Sequence, residues 1–150
     1  MTSIYSYRKF STPYTVLQMA LPDSQGSNDE LHCTELCTLD GVTYVAVPAG
    51  VTLPDQHAEI TVVPVTLTPE LKSAIKAASP HVALISERMI QKIRGTYTID
   101  DEMFFARIGI GVATGMYSPT DGEMADMQVF GSFVEGVRQW GRDERARLGV

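Results

Sequence analysis

Hydrophobic and polar positions alternate with a period near two up to residue 67 and with a period near 3.6 from Thr68 onward. The change divides the chain into a β-rich N-terminal lobe, residues 1–67, and a helical C-terminal lobe, residues 68–150. In the first lobe, Tyr14 to Leu21 (YTVLQMAL) carries β-branched and aromatic residues and is closed by the turn-forming PDSQGSND, so a strand is expected there. The sharpest local signal is ELCTLDGVTYVAVP, in which Asp40-Gly41 separates two alternating runs as a two-residue type I′ hairpin turn requires. Val42, Tyr44 and Ala46 then face one side of the sheet, and Thr43, Val45 and Val47 the other. PAGVTLPDQ reads as loop and EITVVPVTL as a last strand. Pro64 confines that strand to an edge or a bulge, because proline has no N–H for the ladder.

Four helix starts follow. TPELKSAIKAAS has Thr68 as cap, Pro69 at the first helical position and Glu70 in the first turn, with Leu71, Ile75 and Ala78 on one face. SPHVALISERMIQKIRG repeats this grammar: Ser79 caps, Pro80 opens, Val82, Ile85, Met89 and Ile93 form a stripe, and Gly95 stops the helix. A third helix starts at the cap Thr98, with Asp100, Asp101 and Glu102 at the positive end of the helix dipole. The fourth opens on Ser118-Pro119 with Asp121 in the capping-box position. Its residues Met127, Phe130, Val134 and Val137 follow 3-4-3 spacing, flanked by Phe133 and Trp140, and Arg138, Arg142, Arg145 and Arg147 crowd its C-terminal end. The expected fold class is α+β: N-terminal antiparallel sheet and hairpins, then a C-terminal array of three or four helices.

Composition narrows the function classes. The 150 residues are 44% hydrophobic and 20% charged, within the range of ordinary globular proteins. A formal charge of −6 argues against sequence-independent nucleic-acid binding, whose affinity comes from Lys and Arg neutralising phosphates. Residues 1–22 mix hydroxyls and aromatics with Arg8 and Lys9 and lack the apolar run of a secretory signal. No stretch approaches the length of a membrane helix, so folding in a cytoplasm, with no membrane partner, is expected.

Several motifs invite a chemical reading. RIGIGVATGMYS, with Gly109, Gly111 and Gly115, approaches the glycine pattern that cradles a nucleotide phosphate. Such a loop needs a strand before it and a helix opening after it, whereas here the glycines follow residues that already read as helix. They are expected to admit close packing or to end the helix. The acidic triplet 100–102, and Asp121, Glu123 and Asp126 after it, are helix-opening residues rather than a metal cage. Cys33 and Cys37 on one strand would lie about 13 Å apart, too far for a disulfide. Together with His32, His57 and His81 they match no usual zinc spacing. Cys33 or Cys37 with His57 and an acid can be written down as a nucleophilic set, an alternative that leaves a cryptic enzyme open. RQWGRDERARLG carries arginines that could dock a phosphate or nucleic acid with Trp140 as a stacking platform. Asp143 and Glu144 interrupt it, and a solvated helix end with ion pairs, or a partner-binding face, accounts for it better. No cofactor and no metal is expected.

With those residues in view, SPHVALISERMIQKIRGTYTIDDEMFFAR followed by FGSFVEGVRQWGRDERARLG resembles the C-terminal halves of small proteins encoded among the tail and tail-fibre genes of temperate tailed phages. It is also similar, more loosely, to the helical part of tail-fibre assembly proteins. The matching positions are Phe133, Val134, Arg138, Trp140 and Arg142, and the likeness covers residues 79–149. The resemblance implies a non-enzymatic, tail-associated protein that binds a tail-fibre or baseplate polypeptide, as assembly chaperone or as retained virion component. It implies a place in the host cytoplasm during assembly or in the virion tail, and it admits a homo-oligomer. Phe133, Val137, Arg138, Trp140 and Arg142 are the expected partner-binding residues. A small regulatory protein that binds a host factor is the rival reading.

Overall fold

Asp40 and Gly41, with φ angles of 49° and 76°, turn the chain back on itself in the computed structural model, which describes residues 1–22 and 32–150. Both angles are the left-handed values that a type I′ turn needs. They join β4 (Thr34–Leu39) to β5 (Val42–Val47) as an antiparallel hairpin. β1 (Ser3–Tyr7) lies antiparallel on the other side of β5, and β6 (Val63–Val65) pairs antiparallel with β1. The sheet order is therefore β4-β5-β1-β6, which leaves Pro64 on an edge strand. β2 (Phe10–Ser11) and β3 (Val16–Leu17) form a separate two-stranded pair.

Both faces of the four-stranded sheet are covered. Ile4, Leu36, Cys37 and Ala46 join one buried cluster; Tyr7, Val45 and Val47 join another with Met19 and Ile60. The division follows the alternation of β5, with Tyr44 and Ala46 on one side and Val45 and Val47 on the other. β4 alternates less strictly: Glu35 opposes Val45 and Cys37 opposes Tyr44, so Leu36 is an extra residue. This β-bulge explains how the adjacent Leu36 and Cys37 enter the same cluster.

The helices are α1 (Pro69–Ala78), α2 (Pro80–Arg94), α3 (Ile99–Ala113) and α4 (Asp121–Arg147). The fold class is thus α+β, an N-terminal antiparallel sheet followed by four helices. Thr68 Oγ1 accepts the Leu71 N–H at 3.2 Å to start α1, and Ile75 is fully buried in the cluster with Leu36. Thr98 and Asp101 close a capping box on α3. α3 ends in a Schellman motif: Gly115, at φ 68°, donates to the Val112 carbonyl, and Met116 donates to that of Gly111. α4 ends the same way, with Gly149 donating to Ala146 and Val150 to Arg145.

The chain divides into two compact units, Met1–Leu84 with Glu144–Val150, and Ile85–Asp143. The change of period at Thr68 falls elsewhere, because Ile75 of α1 and Val82 of α2 are buried in the same cluster as Ile4 and Ala46. Val150 completes that cluster.

Four local expectations are corrected. β1, the strand between β5 and β6, had no place in the sequence reading. Over residues 14–21 only Val16 and Leu17 are strand, and Tyr14 is fully exposed. Thr12 Oγ1 accepts the N–H groups of Tyr14 and Thr15, and the Gln56 amide both accepts from Ala20 N–H and donates to its carbonyl. Side chains thus supply what a neighbouring strand would have supplied. Ser79 closes α1 through its own N–H to Ile75, while its buried Oγ has no hydrogen-bond partner, so the hydroxyl does not cap α2. α4 is opened by Thr120 with Glu123, whose carboxylate accepts the Thr120 N–H at 2.8 Å, rather than by Ser118 with Asp121. The hairpin and the edge position of Pro64 stand as expected. Of the turn PDSQGSND, all but Pro22 lies outside the described residues.

Candidate functional site

The residues that the arginine-rich helix was expected to present fall within the unit Ile85–Asp143, where Phe133 joins aromatic side chains from the α2–α3 turn and from α3. Tyr97, in the turn between α2 and α3, places its ring edge-on to Phe130 at 5.0 Å and to Phe133 at 5.5 Å. Phe105 of α3 stacks on Phe130 at 4.9 Å. Such offset and edge-on pairs favour one arrangement of the three elements over others. Tyr97 is held there because its N–H donates to the Ile93 carbonyl at the end of α2.

Beside this cluster lies a cleft of about 370 Å³. Ile93 of α2 and Phe130 and Val134 of α4 form its apolar part, and Gly131 leaves backbone accessible. Glu102, Glu135 and Arg138 bring charge to it. Glu102 is paired with Arg94 at 2.6 Å, and Glu135 with Arg142. The Arg142 hydrogen bond holds the Glu135 carboxyl below its ordinary value. Arg142 also donates from Nε and Nη2 to Gln139 Oε1. Arg138 is exposed, and its charge adds to that of Arg142 in lowering the Glu135 carboxyl.

Of the five expected partner-binding residues, Arg138 and Arg142 are exposed, Phe133 and Trp140 are half-buried, and Val137 is buried at 7% exposure. Phe133 belongs to the aromatic cluster, and the Trp140 ring carries the Lys92 ammonium 4.2 Å from its centroid. Only Arg138 lines the cleft. Ile93, Phe130 and Val134 had been read as stripe residues and Glu102 as a dipole partner; their convergence depends on how three helices cross. No spacing along the chain reports that. The close approach of Lys92 to Trp140 was likewise outside the reading.

The other motifs disperse. Gly109 and Gly111 lie inside α3 and Gly115 terminates it. A Cβ on Gly111 would sit 2.6 Å from Tyr117 Cβ, so this glycine serves a close contact. Cys37 is buried with Leu36 on one sheet face, and Cys33 packs with Val45 on the opposite one; burial raises both thiols. His32, His57 and His81 are exposed, and the His57 Nδ1 accepts the Glu59 N–H. Among the described residues no group of three or more His, Cys, Asp or Glu is placed to hold a metal ion. No helix among them is long and apolar enough to cross a membrane.

One polar network was not foreseen. Tyr7 donates to Glu35 Oε2 at 3.2 Å and Lys9 to Glu35 Oε1 at 2.8 Å, joining β1, the second residue after it and β4. Burial first, then the nearby Glu35 charge, raises the Tyr7 hydroxyl, and the Glu35 hydrogen bond raises Lys9. The arrangement satisfies a carboxylate beside the sheet; its signal in the sequence is a Glu within the strand TELCTL. Chemically, the cleft of α2, α3 and α4 suits a protruding apolar side chain with charges at its margin.

The two units together define an α+β protein whose helical unit carries an apolar, charge-rimmed cleft. Compared with protein-family models, curated proteins and solved structures, the chain matches none.

Proposed function

We propose that the protein is non-enzymatic and tail-associated, and that it binds a tail-fibre or baseplate polypeptide of a tailed phage in the host cytoplasm during assembly. The observation that carries the binding part is the cleft on α4, with Ile93, Phe130 and Val134 as its apolar surface and the exposed Arg138 at its margin. An apolar anchor flanked by a carboxylate on the partner fits this chemistry, since buried apolar anchors and arginine dominate interface energies. The likeness of residues 79–149 to small tail-gene products supports the identity of the partner. Whether the protein leaves or stays defines it as chaperone or virion component.

Co-expression with the fibre polypeptide and co-purification test the reading. Arg138→Glu is expected to weaken capture at least about fivefold, because an arginine at an interface anchor contributes more than about 1 kcal/mol, and the circular dichroism of the free protein is expected to stay unchanged. Trp140→Ala, measured in parallel, should reduce capture while leaving the fold intact. Unaltered capture by Arg138→Glu removes the docking site, and unfolding by Trp140→Ala assigns that residue to the core rather than to a docking face. Mass spectrometry of purified particles separates a transient factor from a retained part.

A further inference from the structure

α3 is apolar on two sides. Phe105 and Ile108 are turned into the helical unit, Phe105 against Phe130 and Ile108 buried at 3% exposure. On the opposite side Ile99, Met103, Ala106, Ile110 and Ala113 recur at spacings of four, three, four and three. All five are exposed, Ile99 at 59%, Met103 at 50% and Ile110 at 65%. A 4-3-4-3 repeat is the seam by which one helix packs along another. The side of α3 that would satisfy a single packed helix is thus already in use, and a second seam remains in solvent. Single exposed apolar residues are ordinary; an exposed row in register is an interaction surface.

We propose that this seam pairs with the same seam of a second copy of the chain, antiparallel about a two-fold axis. Three features of the seam favour this occupant. First, aligning two copies so that Met103 meets Ala106 of the other brings Ile99 opposite Ile110. The large residue at the centre then faces a small one, which lets the helices approach and interdigitate.

Second, Asp100 and Arg107 each follow a seam residue by one position and therefore lie on the same flank. In antiparallel pairs like flanks meet, so the alignment puts Asp100 of each copy beside Arg107 of the other, two ion pairs related by symmetry. Neither residue has an ion-pair partner within its own chain among the described residues.

Third, a parallel arrangement is disfavoured by the same residues. It would bring two acidic first turns, Asp100, Asp101 and Glu102, and two positive dipole ends side by side. The Glu102 that would then be needed for Arg107 is already paired with Arg94. From Ile99 to Ile110 the seam is about 16 Å long. That is short for an obligate interface and suits a dimer that exchanges with monomer. The inference concerns a different face from the α4 cleft and does not depend on it.

Sedimentation velocity of the full chain from low to high micromolar tests it. Wild type is expected to pass from monomer to dimer, and Met103→Glu to remain monomeric with its circular dichroism unchanged. Arg107→Glu alone, or Asp100→Lys alone, sets like charges opposite each other and should weaken the dimer about tenfold. An equimolar mixture of these two variants recreates both pairs across an antiparallel heterodimer and should restore wild-type association. A wild type that stays monomeric throughout overturns the proposal, as does a dimer indifferent to Met103→Glu. Failure of the mixture to recover also overturns it, since no parallel or unrelated interface predicts that recovery.

Discussion

The hydroxyl of Thr2 donates a 2.7 Å hydrogen bond to the carbonyl of Arg147, 145 residues further along the chain. Thr2 immediately precedes β1, and Arg147 is the last residue of α4. The bond fixes the end of the helix beside the start of the strand, and two residues on, at Gly149, a Cβ would lie 3.1 Å from the Ile4 side chain. The left-handed turn at Gly149 then delivers Val150 into the cluster of Ile4, Leu36 and Ile75.

Val150 therefore supports the sheet. Val150→Ala removes two buried carbon atoms and is expected to lower stability by about 2 kcal/mol, and Val150→Asp by more, since it buries a charge. Chemical denaturation monitored by circular dichroism measures both. An unchanged midpoint for Val150→Asp would show that the residue is not part of the core.

The hairpin turn makes a second demand. Gly41, at φ 76°, accepts a β-branched side chain poorly, and a Cβ there would also sit 3.2 Å from an Arg8 guanidinium nitrogen. Gly41→Val is expected to cost about 1–2 kcal/mol, read as a lower melting temperature. An unaltered melting temperature contradicts the turn assignment.

Gly109 and Gly111 should respond oppositely to the same substitution. Gly109 has open space around the position of a Cβ and lies inside α3, so Gly109→Ala is expected to stabilise by up to about 1 kcal/mol through helix propensity. Gly111→Ala would drive a methyl group to 2.6 Å from Tyr117 Cβ, an atom close to the backbone that cannot swing aside. Overpacking of that kind typically costs about 1–3 kcal/mol. Equal effects from the two variants would contradict the α3–Tyr117 contact.

The caps of α3 and α4 set a pH dependence. The Thr98 hydroxyl and backbone hold the Asp101 carboxyl below its ordinary 3.8, and the Thr120 N–H, followed by the Tyr117 hydroxyl, holds Glu123 below its ordinary 4.5. Both are depressed in the folded state, so their contribution is complete above those ordinary values and is lost as the pH falls through the lower folded ones. Amide chemical shifts at Thr98 and Thr120 should report loss of the caps below pH 4.5. Asp101→Asn and Glu123→Gln should each flatten the response at their own helix only. A response at either cap centred above that pH would refute the assignment.

How far the sequence could be read depended on whether a signal was local. Asp40-Gly41 is legible because two adjacent residues must both take positive φ, and few other pairs do so readily. Thr98 is legible as a cap because a hydroxyl directly before an acidic first turn is a local signal, although the reciprocal bond from Asp101 is seen only in the structure. β1 is not: SIYSY lies between two covered faces, so its residues show no clean alternation of apolar and polar. The bulge at Leu36 escapes for a related reason, since an extra residue is defined by the partner strand rather than by its own neighbours. Of the candidate site, the aromatic content and the arginines of α4 were evident, but the cleft was not. It needs Ile93, Glu102 and Arg138 together, which lie on three helices. The outer seam of α3 is hidden in plain spacing: the acidic triplet and the glycines, which point to capping and phosphate, are interleaved with the 4-3-4-3 row.

Pro64 has a consequence beyond the ladder of β6. An edge strand offers unpaired backbone to any passing strand, and a proline in the middle of a three-residue edge removes a donor from that template. At the opposite margin the bulge in β4 breaks the regular repeat that an incoming strand would have to match. Both margins of the sheet are thus poor templates for growth, so aggregation by strand addition is discouraged from either side. Contact between two copies through the exposed row on α3 therefore brings no sheet edge that a strand could extend.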